Sequence, residues 1–311
     1  MLILLSYIYT LGHLINYYIL QRPKKVNAKV VCIGNVNIGG GGKTPLCLAL
    51  AELFAQYDKK IAFISRGYKG SLSSWRRAIK VEPQLHNPEQ VGDEPLLLAE
   101  YAPTYICKNR YFAAQLAVQE GAEVIIMDDG LQNNTLHKDI SILVIDGGMA
   151  SLGNSRVIPA GKLREPLPLA LCKVDYCFLL NNNGQDHNLN VKIIEAETKP
   201  IITKDLYEAN YIGIAGIARP EKFWRSLELA GITVLHKLSF PDHHYFNKSD
   251  IDLIEETCRK YGCGIITTAK DFVRLPDSLK SKAKVLHIKI EIPSSKENEN
   301  VAALLREVIA L

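Results

Sequence analysis

Between Val30 and Leu50 the chain passes from an apolar, strand-like run into Asn37-Ile38-Gly39-Gly40-Gly41-Gly42-Lys43-Thr44 and then into a helix-like segment. This order restricts the region to a strand, a glycine turn and a helix that starts at the turn. Glycines let successive N–H groups turn inward around phosphate oxygens. The helix N-terminus adds a favourable dipole, Lys43 a point charge and the Thr44 hydroxyl a ligand for Mg²⁺. Where the strict pattern has its first glycine the chain has Asn37. Asn is the non-glycine residue that best tolerates positive φ, so the turn is expected to survive there. The competing reading is a glycine-rich turn that holds no ligand.

The 311 residues suffice for two modest domains. A net charge of +4 is too small to argue for nucleic acid, and no motif that reads RNA or DNA is present. The seven cysteines form no Cys-x-x-Cys pair and no zinc spacing, which fits reduced residues in a cytoplasmic protein.

Residues 1–20 carry no formal charge, are rich in Leu, Ile and Tyr, and are followed by Arg22, Lys24 and Lys25. There is no basic leader and no small-residue cleavage site, which argues against a secretory signal. The length would allow a spanning helix. Ser6, Thr10, His13 and Tyr17, however, fall on one helical face, opposite Leu4, Leu5, Ile8, Leu11, Ile15 and Ile19. That pattern predicts a helix in the membrane interface with its basic flank near anionic head groups. The alternative is a helix packed on the protein's own core.

Further on, apolar runs at 29–34, 60–65, 104–108, 123–127, 140–146 and 175–180 alternate with helical patterns at 45–57, 93–101 and 109–120. Alternation of this kind predicts a parallel sheet with helices on both faces. A polar break at 181–186 and an extended stretch at 191–207 precede a second alternating set. Its strands are expected at 211–216, 232–238, 264–268 and 284–290, and its helices at 220–230, 248–261 and 301–311. The expected organisation is a membrane-interface helix (1–25), a P-loop kinase domain (26–182), a linker (183–208) and a smaller C-terminal α/β domain (209–311).

Several other segments carry chemistry. Glu123-Val124-Ile125-Ile126-Met127-Asp128-Asp129 is an apolar strand ending in two carboxylates, placed to hold Mg²⁺ beside the loop; which of the two does so is open. Gly92-Asp93-Glu94-Pro95 opens a helix, and by itself Asp93 reads as an N-cap. Phe240-Pro241-Asp242-His243-His244 follows a strand in the second domain, where an imidazole can tune a carboxylate from the other domain. Arg66-Gly67-Tyr68-Lys69-Gly70 and Gly161-Lys162-Leu163-Arg164-Glu165-Pro166 are cationic, glycine-punctuated loops.

Taken in order, these segments resemble the tetraacyldisaccharide 4'-kinase family, the lipid A kinases of diderm bacteria. The likeness covers most of the chain. It rests on Gly34-Asn35 with the glycine loop and Thr44-Pro45, Ser65-Arg66-Gly67-Tyr68, Gly92-Asp93-Glu94-Pro95, Asp128-Asp129-Gly130-Leu131-Gln132, Pro159-Ala160-Gly161 with Leu163-Arg164-Glu165-Pro166, Gly216-Ile217-Ala218-Arg219-Pro220-Glu221, and Phe240-Pro241-Asp242-His243. Asn133 and the pair Asn154-Ser155 depart from the family pattern.

The resemblance implies transfer of the ATP γ-phosphate to the 4'-hydroxyl of a tetraacyldisaccharide 1-phosphate, at the cytoplasmic face of the inner membrane, with no nucleic-acid or protein partner. It implies that residues 37–44 hold ATP and that Thr44, Asp128 and Asp129 handle Mg²⁺. Asp93, His243, Lys43 and Arg164 become the catalytic set, and Tyr68, Gln132, Arg164 and Glu165 the substrate contacts. Two rivals fail on single positions. Partitioning ATPases usually carry a lysine where Ile38 stands. In Thr268-Ala269-Lys270-Asp271 the lysine is one place late for the guanine-reading Thr-Lys-x-Asp pattern.

Overall fold

The computed structural model describes residues 1–39, 41–182, 189–207 and 209–309. The chain divides into two compact units, residues 1–198 with 290–311, and residues 199–289. The first unit opens with helix α1 (Leu2–Leu14), continued as a π-helical turn over Ile15–Leu20. Then come β1 (Lys29–Gly34), α2 (Lys43–Ala55), β2 (Ile61–Ser65), β3 (Ile79–Val81), α3 (Pro88–Val91), α4 (Asp93–Ala99), β4 (Thr104–Ile106) and α5 (Arg110–Gln119). β5 (Val124–Asp128), β6 (Ile140–Asp146), α6 (Leu167–Leu171), β7 (Tyr176–Leu180) and β8 (Lys192–Ile201) follow. The second unit holds β9 (Tyr211–Ala215), α7 (Pro220–Leu229), β10 (Val234–Ser239), α8 (Lys248–Tyr261), β11 (Gly264–Thr268), α9 (Ala269–Arg274) and α10 (Asp277–Lys280). β12 (Ala283–Glu291) leads back to the first unit, where α11 (Glu299–Ile309) ends the chain.

In the first unit the strand order is β8-β7-β6-β1-β5-β2-β4-β3. β3 runs antiparallel to β4, and the pairings of β1, β2, β5, β6, β7 and β8 are parallel. Alternate residues of one strand feed different cores. Val31 and Ile33 join α2 and α11 on one face, and Val30 and Cys32 join α5 on the other. Burial on both faces is why these strands read as continuous apolar runs. In the second unit the order is β10-β9-β11-β12, all parallel, with α7 in one core and α8 in the other.

Two boundaries differ from the sequence reading. Lys192–Ile201, expected as linker with short strands, is one long strand. Only its central residues, Ile194 and Ala196, are buried, so its hydropathy is weak. Residues 290–311 belong to the first unit rather than to a domain spanning 209–311. Val301, Leu304, Leu305 and Val308 form an i, i+3, i+4, i+7 stripe that packs in the same core as Leu46 and Leu50 of α2. Chain order hides such a return. The 183–186 part of the polar break and the end of the last expected helix, 310–311, lie outside the described residues.

The stripe yields a test. Leu304→Ala should cost about 2–5 kcal/mol, the usual loss for a buried leucine. In hydrogen exchange the added exposure should appear in α2 and β1 and leave β9 and β11 unchanged; loss of protection confined to the second unit would contradict this assignment of α11.

Candidate active site

β1, β5 and β2 are adjacent parallel strands, with Ile33 opposite Asp128 and Ile64 opposite Met127. Their carboxyl ends therefore open on one edge, where ligands of parallel α/β sheets collect. Three loops leave from that edge, beginning at Asn35, Arg66 and Asp129.

The loop after β1 is held by a neighbour. Asn37 is buried and bridges to Leu163, Ile38 N–H donates to Lys162 O at 3.0 Å, and Arg164 N–H donates to Val36 O at 2.6 Å. Asn37 is not among the residues with positive φ, so the expected left-handed turn at this position is not used. Its extended backbone takes part in the bridge instead. The left-handed turn lies at Gly42 (φ +75°), the N-cap of α2, where a Cβ would press on Leu180. Gly39 also has positive φ, and Gly40 lies outside the described residues. Lys43 and Thr44 are the first residues of α2, two residues earlier than the pattern suggested. Lys43 is only 8 % exposed, so it is a buried cation and not a loop lysine in solvent.

Asp129 gathers the charges. It sits just past β5 at φ +50°, a strained conformation of the kind that clusters at functional sites. Arg164 Nη1 lies 2.9 Å from both of its carboxylate oxygens, and Lys43 Nζ lies 3.7 Å from Oδ1. Burial would raise its pKa, but Lys43 and Arg164 outweigh burial and hold it down to about 2. Asp128 is fully buried and faces α2, where Cys47 Sγ–H donates to Oδ1 at 3.6 Å. Thr44 stands one turn before Cys47 on that helix. A hydroxyl and a carboxylate beside a phosphate loop are the hard oxygen donors Mg²⁺ accepts, with phosphates and water completing its shell. The residues fit the ion.

Two cationic and acidic groups join this centre without having been singled out from the sequence. Arg110 is buried, donates to Cys107 O and Lys108 O, and is lowered to about 10 by burial, partly offset by Asp129. An arginine in the first turn of a helix opposes the helix dipole, which was the available signal. Glu94, on the first turn of α4, lends its field to Arg164 and Cys47.

Asp93 is buried beside Glu94, and its Oδ1 accepts the Glu94 N–H at 2.9 Å; the N-cap position belongs to Gly92. The Tyr68 loop runs alongside, with Ser71 N–H donating to Glu89 O and Leu72 N–H to Gln90 O, both at 2.9 Å. A Cβ at Gly92 would stand 2.7 Å from Tyr68 O, so only glycine permits that approach. The Tyr68 ring is exposed at the site edge.

Glu165, expected to touch substrate, is 1 % exposed and faces inward. It accepts from Gln132 Nε2 at 2.9 Å, pairs with Lys173, and lies 3.7 Å from His13 Nε2. The same Gln132 amide donates to Asn35 O at 3.0 Å. Burial would raise the Glu165 pKa, but His13, Lys173 and Gln132 bring it down to about 2. The network thus runs from α1 to the start of the phosphate loop.

The polar stripe on the first helix explains that link. Ser6 Oγ donates to Val157 O at 2.8 Å, Tyr17 is buried with the Lys173 ammonium 4.2 Å from its ring centroid, and Asn134 Nδ2 donates to Tyr17 O at 3.0 Å. Leu4, Leu5, Ile8, Leu11, Ile15 and Ile19, on the opposite side, are exposed. Leu2–Leu20 is long and apolar enough to cross a membrane, but its polar stripe docks on the protein.

His243 belongs to the second unit, in the turn after β10, at φ +59° with its N–H donated to Gly216 O at 3.1 Å. His244 has a structural role: its Nε2 lies 2.8 Å from Asp250 Oδ2, and its ring packs on Phe240 and Phe246.

The family profile described as Tetraacyldisaccharide-1-P 4'-kinase matches residues 1–310. The chain belongs to the tetraacyldisaccharide 4'-kinase family. It is 39 % identical over 294 residues to the tetraacyldisaccharide 4'-kinase of Gluconobacter oxydans, covering 92 % of this chain and 88 % of that one. To the enzyme of the same name from Methylobacterium nodulans it is 37 % identical over 313 residues, covering 96 % and 90 %. Among solved structures it is similar to LpxK from Aquifex aeolicus in complex with ATP, with a TM-score of 0.76, 25 % identity and 97 % of each chain covered. For a member of this kinase family, the phosphate loop, its flanking carboxylates and the docked first helix lie in one unit of the fold.

The Glu165 network makes a pH prediction. A carboxylate whose folded pKa lies near 2, below its ordinary 4.5, adds stability that is complete above about 4.5 and lost as pH falls toward 2. The stability deficit of Glu165→Gln, read from urea midpoints, should therefore be largest near neutral pH and shrink steadily below pH 4.5. A deficit independent of pH would mean that charge plays no part in docking α1.

Proposed function

We propose that this chain is an ATP-dependent kinase that phosphorylates the 4'-hydroxyl of a tetraacyldisaccharide 1-phosphate in lipid A biosynthesis. The observation that carries this reading is Asp129 held between Lys43 and Arg164 at the mouth of the phosphate loop. Two cations that neutralise one carboxylate there are placed to exchange it for a transferring phosphoryl group. Phosphoryl transfer depends on positioning and charge neutralisation more than on covalent help.

In the reaction the 4'-oxygen forms a bond to the γ-phosphorus as the bond to the β,γ-bridging oxygen breaks, and ADP departs with that electron pair. Residues 37–44 cradle the phosphates. Lys43 and Arg164 offset the charge on the transferring group, while Asp93, tuned by His243, takes the proton from the 4'-hydroxyl. Thr44 with Asp128 or Asp129 would hold Mg²⁺, which supplies further neutralisation of the phosphates. Tyr68 and Gln132 contact the disaccharide, and Glu165 acts through Gln132. The exposed apolar side of the first helix lies in the interface of the inner membrane on its cytoplasmic face, with Arg22, Lys24 and Lys25 toward anionic head groups.

The defining experiment supplies γ-labelled ATP and a lipid disaccharide 1-phosphate to purified protein and locates the label. A new phosphate monoester on the 4'-oxygen is expected, and label elsewhere, or hydrolysis alone, would refute the reading. Lys43→Ala should lower kcat by about 10³-fold or more. Its melting temperature should change little, because Asp129 retains Arg164; a near-normal kcat at saturating substrates would remove the loop from the mechanism. Asp93→Ala and His243→Ala should each lower kcat by ~10²–10⁴-fold, with much smaller effects on ATP binding. If the two serve one proton transfer, the double variant should be little worse than either single one. Multiplicative losses would assign them independent roles.

A further inference from the structure

Thr268-Ala269-Lys270-Asp271 departs from the base-reading pattern, and its last residue belongs to a buried polar cluster of the second unit. Asp271 is fully buried, and the Arg274 guanidinium lies 2.7 Å from its Oδ1, one helical turn away in α9. Other bonds of the pair go to backbone. Asp271 Oδ1 accepts the Gly216 N–H at 2.9 Å, Arg274 Nη2 donates to Gly216 O at 2.9 Å, and Arg274 Nη1 donates to His244 O at 3.1 Å. The Thr268 hydroxyl donates to Asp271 Oδ2 at 2.6 Å and so fixes the carboxylate plane.

Those backbone groups belong to the two loops that frame His243. Gly216 directly follows β9, and its carbonyl also accepts the His243 N–H. Phe240 N–H donates to Ala215 O at 2.8 Å, so the 240–244 turn rests on the end of β9. A Cβ on Gly216 would stand 3.0 Å from Asp271 Oδ1, so a side chain there would crowd the carboxylate. The carbonyl one residue past His243 and the carbonyl bonded to its N–H are thus gripped by one guanidinium. The planar fork of arginine spans two acceptors at once, which a lysine ammonium on a flexible stem does not reproduce.

We propose that Asp271 and Arg274 are positioning residues for His243: the buried pair fixes the His243–His244 backbone, including the left-handed turn, and thereby aims the imidazole. A buried ion pair is a weak source of stability, so its directed bonds to two loops are what distinguish it. The catalytic side of this inference rests on the reading of His243 as part of the proton-transfer unit.

The test uses the full chain as Arg274→Lys, His243→Ala, the double variant, Thr268→Val and Thr268→Ser. It reads kcat, the KM for ATP, and the imidazole Cε1–Hε1 resonance of His243, assigned by its loss in His243→Ala. Arg274→Lys should lower kcat by ~10–100-fold, as supporting partners of a site residue do. The KM for ATP should stay within about twofold, because only a transition-state interaction is lost. The His243 resonance should shift, and Arg274→Lys should add little to the loss already present in His243→Ala. Thr268→Val should shift the same resonance and lower kcat, and Thr268→Ser should restore both. This pair, which alters one hydroxyl, carries the comparison if Arg274→Lys does not fold. An unmoved resonance in a folded Arg274→Lys or Thr268→Val, or an undiminished Arg274→Lys loss in the His243→Ala background, would overturn the proposal. A wild-type kcat in His243→Ala would instead refute the catalytic reading of His243, while the resonance would still decide whether the pair aims it.

Discussion

The carboxylate of Asp129 organises the first unit's chemistry. It needs the end of β5 to turn into a left-handed conformation, the first residue of α2 to be a lysine, and the 162–164 segment to lie along the phosphate loop. Arg164 reaches Asp129 because its own backbone is hydrogen-bonded to Val36. The cation and the loop are therefore one construction. With both cations satisfied by Asp129, neither Lys43 nor Arg164 has to be desolvated unpaired, which would be costly at such burial.

A second dependence runs outward from that centre. Gln132 bonds to both Asn35 O and Glu165, and Glu165 meets Lys173 and His13. The helix that exposes Leu4, Ile8 and Leu11 is thus tied by its polar stripe to the strand end from which the phosphate loop springs. In an ordinary surface helix the apolar stripe is buried and the polar stripe is wet. The reversal here leaves the apolar stripe exposed while the polar stripe is satisfied by the protein.

The second unit solves a positioning problem with a different device. The turn carrying His243 is held from outside as well, because the ion pair of α9 reaches the Gly216 and His244 carbonyls. Placing both charges on one helical turn keeps their geometry independent of loop motion.

Much of this was legible in the residues themselves. Continuous apolar runs such as Val124–Met127 marked buried parallel strands, and the Gly-Lys-Thr order marked the helix that begins at the loop, because both follow from local backbone and hydropathy rules. The Ser6, Thr10, His13 and Tyr17 stripe was visible as a period, although not what it would touch. Only the tertiary structure decided that Asn37 is extended and bridged to Leu163, that α11 returns to the first core, that Arg110 lies buried by the two aspartates, and that Asp271 grips Gly216. Each of these joins residues from different elements, from 18 positions apart for Arg110 and Asp128 to 255 for Val301 of α11 and Leu46. Hydrophobic periodicity and turn chemistry reach only as far as one element and its caps. Which carboxylate meets which cation is settled by packing, once the sheet has brought the strand ends together.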